Sequence, residues 1–216
     1  MIPDPILFGS IMPEDKTIRH PDTHPPLVLA STSPRRRQLL QGAGLGFEIV
    51  ESGVDEQMRQ SESGRSFALR MACEKALAVS GRRPDALVLG ADTVVEIEGE
   101  ILGKPQTPDE ARSMLQKLSG RVHRVFTGFA LARRSIIVES AAVLSQVRFR
   151  ELARADIERY IATQEPYDKA GGYAVQGEAG EFIAAVEGSI TNVMGLPIDE
   201  VLEALRRHGI GNLLAR

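Results

Sequence analysis

Ala86-Leu87-Val88-Leu89-Gly90-Ala91-Asp92 is the stretch on which the fold turns. Its first six residues carry no polar side chain, and a run of that length suits a β-strand covered on both faces. The apolar run stops at Asp92, which predicts an acid at the carboxyl end of a strand. Ligand crevices of α/β sheets open there, and a carboxylate in that place is partly desolvated. Two readings compete for Asp92: a general base or metal ligand, and a turn cap built from the Asp side chain.

Working outward, Leu27-Val28-Leu29-Ala30 reads as a strand that turns through Ser31-Thr32-Ser33. A helix follows, with Ser33 as N-cap, Pro34 in the first position and Gly44 at its close. A strand over 47–51 leads to Val54-Asp55-Glu56, and a helix over 66–79 carries Lys75 on an otherwise apolar face. Beyond Asp92, residues 94–102 form a hairpin turning near Glu98-Gly99, and Thr107-Pro108-Asp109-Glu110 is a capping box opening a helix that ends at Gly120. Strands over 122–133 and 136–149 are joined at Arg133-Arg134-Ser135. A helix over 155–163, a glycine-rich stretch over 168–177, a strand over 181–186 and a helix over 197–208 complete the chain. Strands alternating with amphipathic helices predict an α/β domain, a central mixed β-sheet with flanking helices over residues 27–216. Residues 1–26 hold six prolines and no period, and are expected to form a flexible extension.

The 216 residues are 43% hydrophobic and 25% charged, ordinary for a globular chain and neither disordered nor fibrous. With 26 Lys and Arg against 29 Asp and Glu, the formal charge of −3 lacks the basic footprint of a general nucleic-acid binder. Cys73 stands alone, excluding an internal disulfide and a multi-cysteine metal site. His20, His24, His123 and His208 show no zinc-enzyme spacing. Without an apolar run of about 18 residues, and with Asp4 where a signal peptide would be basic, a cytoplasmic protein away from membranes is expected.

Arg35, Arg36 and Arg37 occupy the first turn of a helix, where the macrodipole disfavours cations. A phosphate would offset that, using free N–H groups and guanidinium forks, whereas a solvated charge run is the plainer alternative. The place of the cluster after a strand end favours the anion site. Gly99 to Pro105 only approximates a P-loop: the glycines stand one residue too close and Pro105 replaces the Ser or Thr. Lys104 can still meet phosphate as a point charge, although a solvent-facing loop lysine is commoner. No Gly-x-Gly-x-x-Gly is present. In Glu165 to Gly177, paired glycines permit close backbone approach and Gln176 offers an amide suited to a base edge; a structural loop is the alternative.

Taken in order, several segments resemble the Maf family of nucleotide pyrophosphatases. They are Leu29 to Arg36, Val54-Asp55-Glu56, Lys75-Ala76, Gly90 to Val95, Gly103-Lys104-Pro105, Leu118 to His123, Asp168 to Gly171 with Gln176-Gly177, and Gly188 to Pro197. The resemblance implies an inosine-triphosphatase-like fold with two lobes around a cleft, commonly dimeric. It implies hydrolysis of nucleoside triphosphates to monophosphate and pyrophosphate with a divalent cation, Mg²⁺ or Mn²⁺. By position, Asp92 resembles the proton acceptor, and Arg35, Thr93 and Gln176 the specificity residues. Arg36, Lys75 and Lys104 would bind the triphosphate, and Glu56 with Asp92 the metal. Thr93 and Gln176 resemble the dTTP/UTP branch. Gln38 stands where relatives often carry Glu, which is expected to weaken a salt bridge or metal contact. A nucleotide-binding regulator of cell division and a nucleotidyltransferase are the rival readings.

Overall fold

A computed structural model describes residues 24–210, so the predicted N-terminal extension lies almost wholly outside the described residues. Strands β1 (Leu27–Leu29) and β2 (Glu48–Ile49) flank helix α1 (Pro34–Gly42) and pair in parallel. Helix α2 (Gly64–Ser80) leads to the long strand β3 (Leu87–Ile97), short β4 (Glu100–Leu102) and helix α3 (Pro108–Leu118). The hairpin β5 (Val122–Arg133) and β6 (Ile136–Phe149) turns at Arg134 and Ser135, both with positive φ. Helix α4 (Arg154–Ile161), strand β7 (Ile183–Glu187), helix α5 (Ile190–Val193) and helix α6 (Ile198–Arg207) follow. The mixed sheet runs β2-β1-β3-β5-β6-β7, with β4 beside β3. The boundaries differ from expectation by a few residues, and residues 181–182, predicted as the start of a strand, belong to the 3-10 turn Glu178–Phe182 that precedes β7.

The main difference lies at Asp92. Strand β3 does not stop there but continues to Ile97, because β5 pairs with it without interruption from Val88 to Glu96 and sets Asp92 opposite Gly128. The other edge of β3 is covered by β1 only at Leu87 to Leu89 and by β4 only from Val95 onward. Residues 90–94 therefore have a strand partner on one side alone. Asp92 occupies the middle of a window in the sheet, where a polar side chain meets the cleft although the strand continues.

Helix α2 is drawn unusually close to this window. A Cβ on Gly90 would lie 2.3 Å from the Ala72 carbonyl oxygen, and one on Gly128 would lie 2.3 Å from that of Ala68. Only hydrogen fits at either position. The start of α2 is fixed by Ser63, whose hydroxyl accepts from Ser66 N–H at 3.2 Å, and by the buried Glu96 of β3, which accepts from Gly64 N–H at 3.0 Å. Thr107 caps α3 as its sequence predicts, accepting from Glu110 N–H at 3.2 Å.

Two separate apolar clusters make the two lobes. One gathers Leu40, Leu196, Val201 and Leu205 against β1 and the first half of β3. The other gathers Leu115, Phe149, Tyr160 and Phe182 against β4 and the far half of β3. The strand common to both carries Asp92 between them.

Candidate active site

A cleft of about 600 Å³ lies between the lobes. Its wall includes every residue given a catalytic, substrate-binding or metal role from the sequence: Arg35, Arg36, Glu56, Lys75, Asp92, Thr93, Lys104 and Gln176. Arg37 and Gln38 are exposed and stand outside it, as does Asp55. The three-arginine cluster thus divides, two residues facing the cleft and one facing solvent. Gln38, expected to weaken a salt bridge or metal contact, is exposed and does not line the cleft.

At the centre, Lys75 and Asp92 are both buried, and Lys75 Nζ donates to Asp92 Oδ1 at 2.6 Å and to Glu56 Oε1 at 2.5 Å. The close packing of α2 on Gly90 and Gly128 brings Lys75 this near the strand. Desolvation pushes the Asp92 carboxyl above the usual range, against the opposing pull of Lys75 and Arg36. Glu56, on the chain after β2, is half-exposed; partial desolvation raises it, but the Lys75 hydrogen bond and the charges of Lys75, Lys104 and Arg36 outweigh this and leave it below the usual range.

Arg36 is buried and largely committed within the protein. Its Nε donates to the Gly195 carbonyl at 2.8 Å, one terminal nitrogen to Ser31 Oγ at 3.0 Å, and the other to Thr93 Oγ1 at 3.1 Å. Desolvation lowers its pKa, against the raising effect of Asp92 and Glu56. Thr93 also lies 3.0 Å from Thr127 Oγ1, which donates to the Asn192 carbonyl at 2.8 Å. Arg35, Lys104 and Gln176 are less enclosed, and Arg35 reaches across the cleft to within 4.0 Å of Asp168 on the glycine-rich loop. Ser33 occupies the N-cap of α1 without a side-chain hydrogen bond, so the first N–H groups of that helix are unclaimed by a capping side chain.

Among the described residues, no three His, Cys, Asp or Glu side chains gather to hold a metal ion. Glu56 and Asp92 supply two carboxylates that both accept from Lys75 Nζ, each through one oxygen and each with a second oxygen not bonded to it. An all-oxygen pair of this kind fits a hard divalent cation whose remaining ligands come from phosphate and water.

The family model described as Maf-like protein matches residues 26–208. The chain belongs to the Maf family. It is 51% identical over 189 residues to the dTTP/UTP pyrophosphatase of Syntrophus aciditrophicus, covering 85% of this chain and 90% of that one. The dTTP/UTP pyrophosphatases of Anaeromyxobacter sp. and Myxococcus xanthus are 49% and 46% identical, covering 85% of this chain and 89% and 93% of theirs.

The Maf segments scattered along the sequence thus each contribute to one cavity, except Leu118 to His123, which lies outside it. Sequence reasoning passed over Ser31, Thr127 and Gly195, which hold Arg36 and Thr93 in place. Thr127 leaves a detectable mark, a fully buried polar residue within the apolar β5. Gly195 leaves none, because it acts through its carbonyl oxygen.

Proposed function

We propose that this chain hydrolyses dTTP and UTP to the monophosphate and pyrophosphate in the cleft between the lobes. The observation that carries the reading is the buried Asp92 carboxylate in the sheet window, faced by Arg35, Arg36, Lys75 and Lys104. The names of relatives about half identical to it supply the substrate class.

In this reading the triphosphate lies between the start of α1 and Lys104, and Arg35, Lys75 and Lys104 balance its charge. Arg36, tied to Gly195 and Thr93, adds fixed positive charge from the cleft floor. Asp92 takes a proton from a water as its oxygen bonds the α-phosphorus, and the bond from that phosphorus to the bridging oxygen breaks to release pyrophosphate. The raised Asp92 pKa suits a base, since proton affinity grows with pKa. Glu56 and Asp92 would hold a divalent cation, Mg²⁺ or Mn²⁺, whose chemistry is to neutralise phosphate charge. Thr93 and Gln176 would contact the nucleoside, Gln176 offering donor and acceptor to a pyrimidine edge. A cytoplasmic homodimer completes the reading. Among the described residues no helix is long and apolar enough to cross a membrane.

The test is pyrophosphate release by purified protein over a panel of nucleoside triphosphates, with Mg²⁺, Mn²⁺ or EDTA. Metal-dependent release from dTTP and UTP is expected. Binding without release would favour a nucleotide sensor, and release that requires an added acceptor would favour nucleotidyl transfer.

A further inference from the structure

The segment carrying Gln176 contains no helix or strand longer than a single turn, and side chains must hold it. It comprises 3-10 turns at Glu165–Asp168 and Ala170–Gly172, with a third at Glu178–Phe182. One residue fastens both ends. The Glu165 carbonyl accepts from Lys169 Nζ at 2.6 Å near the start of the segment. Its carboxylate crosses to the far end and accepts from the backbone N–H of Glu178 at 3.0 Å and of Ala179 at 3.4 Å. Among the described residues, no other side chain hydrogen-bonds the backbone of residues 177–179.

The carboxylate is itself held. Tyr160 Oη donates to it at 3.2 Å, and burial with the nearby Glu165 charge pushes the phenol above its ordinary range, keeping it a donor. Thr163 Oγ1 accepts from Glu165 N–H at 3.2 Å. Gly177 lies directly against this carboxylate: its φ is +145°, and a Cβ there would stand 2.5 Å from Glu165 Oε1. The chain is thus hydrogen-bonded at the second and third residues after Gln176 and packed at Gly177 against the same group, so the direction in which Gln176 leaves the backbone depends on the Glu165 carboxylate.

We propose that Glu165 is a positioning residue for substrate discrimination, clamping the Gly177 turn so that Gln176 presents its amide to the nucleobase. The proposal rests on the reading that Gln176 contacts the base. Glu165 touches no reacting atom; it sets a geometry that a loop of this kind does not keep unaided. A two-oxygen acceptor is required because two N–H groups and a phenol converge on it. In Glu165→Gln one oxygen remains, while the amide nitrogen must face a donor.

The experiment measures kcat and KM with dTTP and dGTP for the full chain and for Gln176→Ala, Glu165→Ala, Glu165→Gln and the Glu165→Ala/Gln176→Ala pair. Loss of one well-placed base contact corresponds to about tenfold or more in discrimination. Glu165→Ala is expected to lower the dTTP-to-dGTP ratio of kcat/KM by about tenfold, chiefly through KM for dTTP, and Glu165→Gln by less. The pair should discriminate no worse than Gln176→Ala alone. If Gln176→Ala collapses the ratio while both Glu165 variants keep it and lose only thermal stability, the clamp is structural and the proposal is overturned. If Gln176→Ala keeps the ratio, the base-contact reading falls and the proposal falls with it. Should Glu165→Ala fail to fold, Glu165→Gln carries the test.

Discussion

Gly128→Ala tests whether the site depends on the close approach of α2 to the sheet. The added methyl would sit 2.3 Å from the Ala68 carbonyl oxygen, 2.5 Å from its carbonyl carbon and 2.7 Å from Leu69 Cα. All three are backbone atoms, so no side chain can rotate out of the way. A carbon to oxygen contact settles at about 3.3–3.6 Å, so helix and strand must separate by about 1 Å. Overpacking of this kind costs about 1–3 kcal/mol, and a chain of this size loses about 2–4 °C of Tm for each kcal/mol. The same displacement withdraws Lys75 from Asp92, now 2.6 Å away. A 1 Å misplacement of site residues can cost on the order of 10²-fold in rate. Gly128→Ala is therefore expected to lower Tm by several degrees and kcat/KM for dTTP by about a hundredfold, read by thermal unfolding and pyrophosphate release. Gly42→Ala, where the methyl meets nothing within 4 Å, is the matched control and should leave both unchanged or slightly raise Tm. If Gly128→Ala behaves like the control, the close approach does not position Lys75 and the reasoning fails.

Asp92→Asn should lower kcat by about 10²- to 10⁴-fold while nucleotide binding stays measurable by calorimetry; unchanged turnover would remove Asp92 from the base role. Lys75→Met strands a buried carboxylate and should cost about 3–5 kcal/mol in denaturant unfolding, much of it recovered in Lys75→Met/Asp92→Asn, whereas additive losses would show that the two do not act as a pair. His123 is 1% exposed, with Nε2 2.7 Å from Tyr173 Oη and Nδ1 without a partner, and burial lowers its pKa to about 4 from 6.5. Between those values the unfolded chain binds the proton and the folded chain does not. Stability should therefore fall as pH drops from 6.5 to 4, by about 3 kcal/mol from this residue, with no contribution from it above 6.5. Urea unfolding of His123→Gln against the parent should show a shallower acid slope; identical slopes would place the proton uptake elsewhere.

Much of the scaffold was legible because it is written in local signals. Thr107 and Pro108 announce the start of α3, the Arg134-Ser135 turn separates two long strands, and Gly120 with φ +70° closes a helix. The candidate site residues stood out for a different reason, as charged side chains in apolar surroundings; that Lys75 on α2 and Asp92 on β3 are hydrogen-bonded to one another was not read from the sequence. The continuation of β3 past Asp92 was hidden, because polarity along the strand reads as an ending when the pairing strand is unknown. Only the distant β5, with Gly128 opposite Asp92, keeps the strand going. Backbone contacts were equally hidden, since the Gly195 carbonyl that holds Arg36 carries no side-chain signature.

The interrupted edge of β3 separates two demands that nucleotide hydrolysis makes on a small chain. Chemistry requires a base that does not move, and Asp92, the base we propose, sits within nine consecutive register pairs between β3 and β5, supported by Lys75 from a helix seated on glycine. In the proposed reading, recognition of a base requires side chains that reach over the bound ligand, and Gln176 would come from a loop fastened by a few side-chain contacts. Had β3 ended at Asp92, as its apolar pattern suggests, the acid would lie on a fraying terminus with one fewer set of ladder bonds to fix it. Had β1 or β4 been longer, the window at residues 90–94 would be filled by strand and no phosphate could reach the carboxylate. Shortening the neighbours rather than the central strand satisfies both demands, which makes the lengths of β1 and β4 as much a part of the site as the side chains lining it.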